Sequence, residues 1–316
     1  MPGTTAPPPP TRFAFLGPEG TFAEAALSTV VDSSEGVRSP QPSVAAALAA
    51  VRAGDADAAL VPLENSVEGS VPATMDGLAD GESLLVVREV FLPVTMTLAA
   101  RAGVPLAGVR SLASHPHALA QSSRWLAAHL PGVSPVSTSS TAAAAAAVAD
   151  GEFDAALCAP IAAQRYGLET LVDDVADHPG AVTRFVLVTP PGPLPEPTGN
   201  DKTSLVAVVG DRTGALLELL SEFAVRGISL TRIESRPTRQ RLGLYSFSLD
   251  CEGHALDRRV GEALAALHRV CDEVRFLGSY PRADGRDNKP VPPTADDRAF
   301  ADAQAWLARI RQESPA

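Results

Sequence analysis

No stretch of this sequence approaches the roughly 20 consecutive apolar residues that a helix needs to cross a bilayer. Its opening residues lack the apolar core of a secretory signal. A cytoplasmic protein with no membrane partner is therefore expected. Cysteine is scarce: Cys158, Cys251 and Cys271 are far apart and odd in number. That excludes a disulfide framework and a cysteine-rich zinc site, and it fits a reducing compartment. Basic residues are in deficit, 26 Lys and Arg against 37 Asp and Glu, for a formal charge of -11. A nucleic-acid or anionic-membrane surface is not expected on that balance. There is no P-loop lysine, GPEG (17–20) is too short for a dinucleotide fingerprint, and no metal-ligand cluster is seen. Neither cofactor nor metal is expected.

What is present is ordinary in bulk. The 316 residues are 45% hydrophobic and 20% charged, enough for two or three domains with their own cores. Residues 1–11 read as a disordered N-terminus. From 12 to 188, short apolar runs alternate with alanine-rich helical stretches, which predicts an α/β layered fold. RFAFL (12–16), DAALVPL (57–63), the long β-rich run 84–100, VRSLA (109–113) and FDAALCA (153–159) read as strands. Helices are expected from about Thr21, around Pro72 to Leu78, from His115, over the alanines 142–147 and around Ile161 to Tyr166.

TPPGPLPEPTGN (189–200) is a Pro/Gly linker. Beyond it, 201–280 reads strand, helix, strand, strand, helix, strand, a ferredoxin-like βαββαβ unit. Its first helix is expected to bury Leu216, Leu217, Leu220, Phe223 and Ala224 and to stop at Gly227. The remainder, 281–316, is a polar linker and a helix. Phe300, Ala303, Leu307 and Ile310 form its narrow apolar stripe, expected to dock on the protein or on a second subunit, with a disordered tail as the alternative.

Several strand-to-helix turns carry small polar residues: GPEGTF (17–22), ENSVEGS (64–70), SHPHALAQ (114–121) and STSST (137–141). Helix starts offer unpaired N–H groups and a positive dipole end, so turns converging on one cleft can hold carboxylates with few basic side chains. Taken singly, Ser114 and Ser140 read first as plain N-caps, and Asn65 and Ser66 as ordinary turn residues. GAVTRFVLV (180–188) is stranger, because Thr183 and Arg184 place a hydroxyl and a permanent charge in a buried strand. A buried guanidinium demands an anion.

FLGPEGTF, VPLENSVEGS, SHPHALAQ, SST before the alanines, and TRF, in that order, resemble the catalytic domain of the prephenate dehydratase family. The resemblance covers nearly all of 12–188, and ENS and TRF are its most specific parts. Residues 201–280 resemble an ACT regulatory domain, with GALLELL (214–220) and ESRP (234–237) at the phenylalanine-sensing positions. The resemblance implies a two-lobed, periplasmic-binding-protein-like catalytic domain with a central cleft, followed by the ACT domain.

It implies conversion of prephenate to phenylpyruvate with loss of carbon dioxide and water, without cofactor, in phenylalanine biosynthesis. It places Thr183 near the leaving hydroxyl, Arg184 as the cationic anchor for a carboxylate or for the cleft wall, and Phe185 beside the ring. Asn65 and Ser66 fall in the cleft, with Glu64 as either an acid or a structural partner. Thr21, Ser114, Gln121, Ser140 and Thr141 fall at substrate-binding positions. Gly214, Ala215, Leu216, Glu234, Ser235, Arg236 and Pro237 would hold the effector L-phenylalanine, in a homodimer or homotetramer. With only about a dozen residues before the first strand, a monofunctional enzyme without a fused chorismate mutase is expected. His117 departs from the glutamine of many relatives, Ala23 from a serine or threonine, and the alanines 142–147 from an acidic residue. Two other readings stand beside it: arogenate as the substrate, and a non-catalytic amino-acid sensor.

Overall fold

The computed structural model describes residues 12–32, 36–238 and 244–313, and the expected disorder of 1–11 lies outside them. Two compact units result. The first holds the residues up to Gly77 together with Val90–Pro190; the second holds Leu78–Glu89 together with the chain from Pro191 onward.

In the first unit the chain opens with β1 (Arg12–Leu16), α1 (Phe22–Ser28), β2 (Val37–Gln41), α2 (Val44–Arg52), β3 (Ala58–Asn65), the short β4 (Gly69–Ser70) and α3 (Pro72–Ala79). β5 (Leu85–Pro93) follows and is divided between the units at Glu89. A second group comprises β6 (Thr97–Ala100), β7 (Ser111–Ser114), α4 (Pro116–Gln121), α5 (Ser123–His129), β8 (Ser134–Ser137), α6 (Thr141–Ala149), β9 (Ala155–Cys158), α7 (Pro160–Arg165) and β10 (Glu169–Val172). β11 (Val182–Thr189) then returns to the first group. The strands form two sheets, ordered β2-β1-β3-β11-β5 with β4 on β3, and β10-β6-β9-β7-β8. Parallel pairing of β1 with β2 and β3 needs helical crossovers, and α1 and α2 supply them.

The run 84–100, continuous in the sequence, is two strands in two sheets. It breaks after Pro93, where Val94 N–H donates to Ala181 O at 2.7 Å. That bond ties the outgoing crossing between the sheets to the returning one. The alanine run is helical because small side chains let α6 lie close on its sheet. Ala142, Ala144, Ala145 and Val148 are fully buried against Ala99, Ala113, Ala156 and Ala162.

The second unit contains β12 (Asp201–Val209), α8 (Ala215–Ala224), β13 (Leu230–Pro237), β14 (Tyr245–Glu252), α9 (Arg258–Val270), β15 (Glu273–Pro281) and α10 (Asp297–Glu313). Its antiparallel sheet runs β13-β14-β12-β15, the βαββαβ topology read from sequence. Alternation along β12 sends Leu205, Ala207 and Val209 to the helices, where they pack with Leu219, Phe223, Val260 and Leu267.

The helix face differs from expectation. α8 buries Ala215, Leu219 and Phe223, at i, i+4, i+8, while Leu216, Leu217 and Ala224 face outward. The apolar stripe is wider than the core it meets, so its outer half is left bare. The tail helix differs as well. α10 meets α9 through Arg258, whose N–H donates to Asp297 Oδ1 at 3.0 Å and whose Nη1 donates to Gln304. Phe300 is half-buried, but Ala303, Leu307 and Ile310 stay exposed.

The other face of this sheet is polar and still buried. Lys202 Nζ lies 3.0 Å from Glu89 Oε1 and 3.2 Å from Asp284 Oδ2. Arg282 reaches Glu252 at 3.1 Å and Asp284 at 2.6 Å. Beside them, Ser204 Oγ bonds to Asp250 and Tyr280, and Arg232 Nε donates to Asp250 at 2.9 Å. Leu78–Glu89 is drawn so close that a Cβ on Gly278, which has φ +132°, would meet Val86 O at 2.2 Å. Only glycine fits there.

Candidate functional site

A cavity of about 350 Å³ opens between the two sheets of the first unit. The elements around it present helix starts and strand ends, as expected at the carboxyl edges of α/β sheets. Of the residues singled out from sequence, Thr21, Asn65, Gln121, Ser140, Thr141, Thr183 and Phe185 line it.

The strand pair β3–β11 builds the centre. Thr183 faces Asn65 across the ladder, and Asn65 Nδ2 donates to Thr183 Oγ1 at 2.8 Å. Because the threonine oxygen accepts that bond, its own proton remains available to a ligand in the cavity. Asn65 is itself fixed, since Oδ1 accepts from Val67 N–H at 2.8 Å and Glu68 N–H at 3.1 Å. Phe185, two residues on, shares the face of Thr183.

Arg184 does not share it. It is 3% exposed, is absent from the lining, and lies 3.9 Å from Glu64 Oε2. Strand alternation is the reason: with residues 183 and 185 turned to the cavity, residue 184 points the other way. The register Arg184↔Glu64 brings the two charges together there. Glu64 is likewise outside the lining, so neither residue presents its charge to the cavity. Ser66 Oγ accepts from Val182 N–H at 2.9 Å and ties the turn to β11. Ser114 is fully buried and donates to Leu157 O at 2.5 Å, while His115 is the N-cap of α4. These two serines are structural in position.

Helix starts complete the wall. Ser140 caps α6, its Oγ accepting from Ala143 N–H at 2.9 Å. Thr21 caps α1 and donates from Oγ1 to Leu16 O at 2.9 Å. On α4, Gln121 Nε2 donates to Glu68 Oε1 at 2.7 Å, and His117 Nδ1 lies 2.6 Å from Glu68 Oε2. Burial, then repulsion from His117, pushes the His115 imidazole below its ordinary pKa, with Glu68 acting in the opposite sense. Met96, Pro62 and Val71 supply apolar surface. Sequence reading did not select Glu68 as a site residue, although it stands inside the ENSVEGS turn. The turn itself was the signal.

The two lobes are also joined by Arg165, which grips Glu19 and Glu24. Burial raises the Cys158 thiol to about 12, so it is no nucleophile at neutral pH. Among the described residues no group of three or more His, Cys, Asp or Glu is arranged to hold a metal, and no helix is long and apolar enough to cross a membrane.

In the second unit, Gly214 holds the start of α8 with φ 84°, in the left-handed region. On β13, Glu234 lies 3.6 Å from Arg236 and 3.9 Å from Arg232. Ser235 and Pro237 take the exposed alternate positions of the same edge strand.

Both units have relatives among known proteins. Residues 13–192 match the family model for prephenate dehydratase, and residues 203–269 match the ACT domain. A prephenate dehydratase of Amycolatopsis methanolica is 50% identical over 303 residues, covering 96% of this chain and 98% of that protein. A crystal structure of prephenate dehydratase in complex with L-Phe, from Arthrobacter aurescens, superposes with TM-score 0.90. It is 50% identical and covers 96% of this chain and 100% of that one. A quorum quenching acylase is also similar, at 31% identity and TM-score 0.78, covering 86% of this chain and 98% of that one.

Proposed function

The chain belongs to the prephenate dehydratase family, and from that premise we propose that the cavity between the two sheets of its first unit is where prephenate loses carbon dioxide and water. The activity is that of a lyase carrying an ACT domain. Thr183 is its chemical centre. The observation that carries this assignment is the Asn65–Thr183 hydrogen bond within the lining.

The reaction needs no oxidant. The electron pair of the breaking ring–carboxylate bond moves into the ring as the ring hydroxyl leaves, and aromaticity is the driving force. A dianionic substrate gives monoanionic phenylpyruvate, carbon dioxide and water, so one proton is consumed. Asn65 fixes the Thr183 hydroxyl so that its proton points to the departing oxygen, which a developing hydroxide requires. Phe185 packs beside the ring. The starts of α1 and α6, with Thr21, Ser140 and Thr141, face the carboxylates, and Gln121 contributes an amide. Arg184 and Glu64 act from behind, by holding the two strands in register.

Purified protein mixed with prephenate is expected to generate phenylpyruvate, followed by its absorbance. Folded protein that forms none overturns the reading.

We take 12–188 as the catalytic domain and 201–280 as the regulatory domain, joined by 189–200 and followed by the 281–316 tail. The spans of the two family models support this division. L-phenylalanine is the effector, as the L-Phe complex of the similar Arthrobacter protein supports, and we assign its site to Gly214–Leu216 and Glu234–Pro237 of the ACT unit. The bare apolar residues Leu216, Leu217 and Ile233 support a second copy covering this surface, in a dimer or tetramer. The three free cysteines suit a cytoplasmic enzyme. Glu234→Ala should raise the phenylalanine concentration for half-inhibition at least about ten-fold, the span of one lost charge-assisted contact, while leaving uninhibited turnover intact. Unchanged inhibition in that variant would remove this site from the account.

A further inference from the structure

Among the described residues, Glu68 is the one carboxylate that lines the cavity, where the proposed substrate is a dianion. A bare carboxylate there would repel it. Both oxygens are engaged instead: Oε1 accepts from Gln121 Nε2 at 2.7 Å and Oε2 faces His117 Nδ1 at 2.6 Å. A carboxylate oxygen only accepts, so the imidazole nitrogen carries the proton. Glu68 rides on the turn after β3, whereas His117 and Gln121 belong to α4 beside the other sheet. The hydrogen-bond partners of this carboxylate therefore come from the opposite lobe. Through its backbone N–H, Glu68 also bonds to Asn65, the partner of Thr183.

We propose that Glu68, covered by His117, determines which substrate side chain the cleft accepts. Covered, it admits an arm ending in an α-keto carboxylate; uncovered, it favours the aminated analogue, whose ammonium stands at the same carbon. The inference rests on the reading that prephenate occupies this cavity. Coulomb attraction and repulsion at a few ångströms are sizeable when partly shielded from water, and they reverse sign between the two arms. The side chains of His117 and Glu68 are 66% and 36% exposed. Solvent screening therefore limits the effect to tens of fold, short of thousands.

The test uses kcat/KM for prephenate and the inhibition constant of L-arogenate in competition with it, for wild type, His117→Ala, Glu68→Gln and the double variant. His117→Ala should shift the ratio of these constants toward arogenate by about ten-fold or more. The double variant should return within about three-fold of wild type, because the uncovered charge is gone. His117→Gln, which keeps a donor, should hold the wild-type ratio. A mere clasp between lobes would weaken both ligands together and leave the ratio fixed. That outcome, or a shift that persists in the double variant, overturns the proposal. Wild-type protein inactive on prephenate would instead overturn the catalytic reading on which it rests.

Discussion

Replacing Thr183 by alanine should lower kcat for prephenate by about two to four orders of magnitude, the range expected when a positioned hydrogen-bond donor to the leaving oxygen is lost. The fold should survive. Thr183 Oγ1 accepts one hydrogen bond from Asn65, at the wall of an open cavity. Water can replace that partner, so the stability cost should be about 1 kcal/mol. Thr183→Ser keeps the hydroxyl and removes only a methyl group, and it should retain activity within about ten-fold of wild type. Steady-state phenylpyruvate formation and thermal unfolding, measured on both variants, separate chemistry from packing. Equal turnover in Thr183→Ala and wild type would exclude the hydroxyl from the reaction.

The largest stability effect is expected in the second unit, at Lys202. Its side chain is 4% exposed, and that of Glu89 is fully buried. Lys202→Met would take the buried ammonium from both the Glu89 and the Asp284 carboxylates. Asp284 keeps Arg282, and removing one member of a buried charge pair costs roughly 3–5 kcal/mol. Ala283 N–H, which donates to Glu89 at 2.8 Å, offsets only part of that. Denaturant unfolding at pH 7 measures the loss; a change below about 1 kcal/mol would show that the cluster is hydrated.

The same cluster predicts an acid limb. Burial pushes the Asp284 carboxyl up, but the hydrogen bond from Arg282 and the charge of Lys202 outweigh it and hold it well below the usual range. A depressed folded pKa means stability that is fully present above the unfolded value of about 3.9 and lost as pH falls toward the folded one. The ACT unit should therefore lose stability below about pH 4, and Lys202→Met should flatten that dependence.

Local pattern was enough to read much of the site. Helix starts at Thr21 and Ser140 were visible because a capping residue and the helix it begins are adjacent in sequence. TRF was legible as a unit but not in its orientation. Thr183 and Phe185 face the cavity while Arg184 turns to Glu64, a consequence of strand alternation and of a register set by a distant strand. The Lys202 cluster was invisible, because its partners at 89 and 284 lie far off along the chain. His117 and Glu68 are 49 residues apart and meet only when two lobes come together. The bare half of α8 was misread for a different reason. An apolar stripe says that a helix can be buried, and the width of the neighbouring core decides how much of it is.

The crystal structure of Thr183→Ala with prephenate bound tests the central claim most directly. The ring hydroxyl should face residue 183 and Asn65, with a carboxylate at the start of α6 beside Ser140 and Thr141. Prephenate lying outside this cavity, or placing a carboxylate instead of the hydroxyl at residue 183, would contradict it.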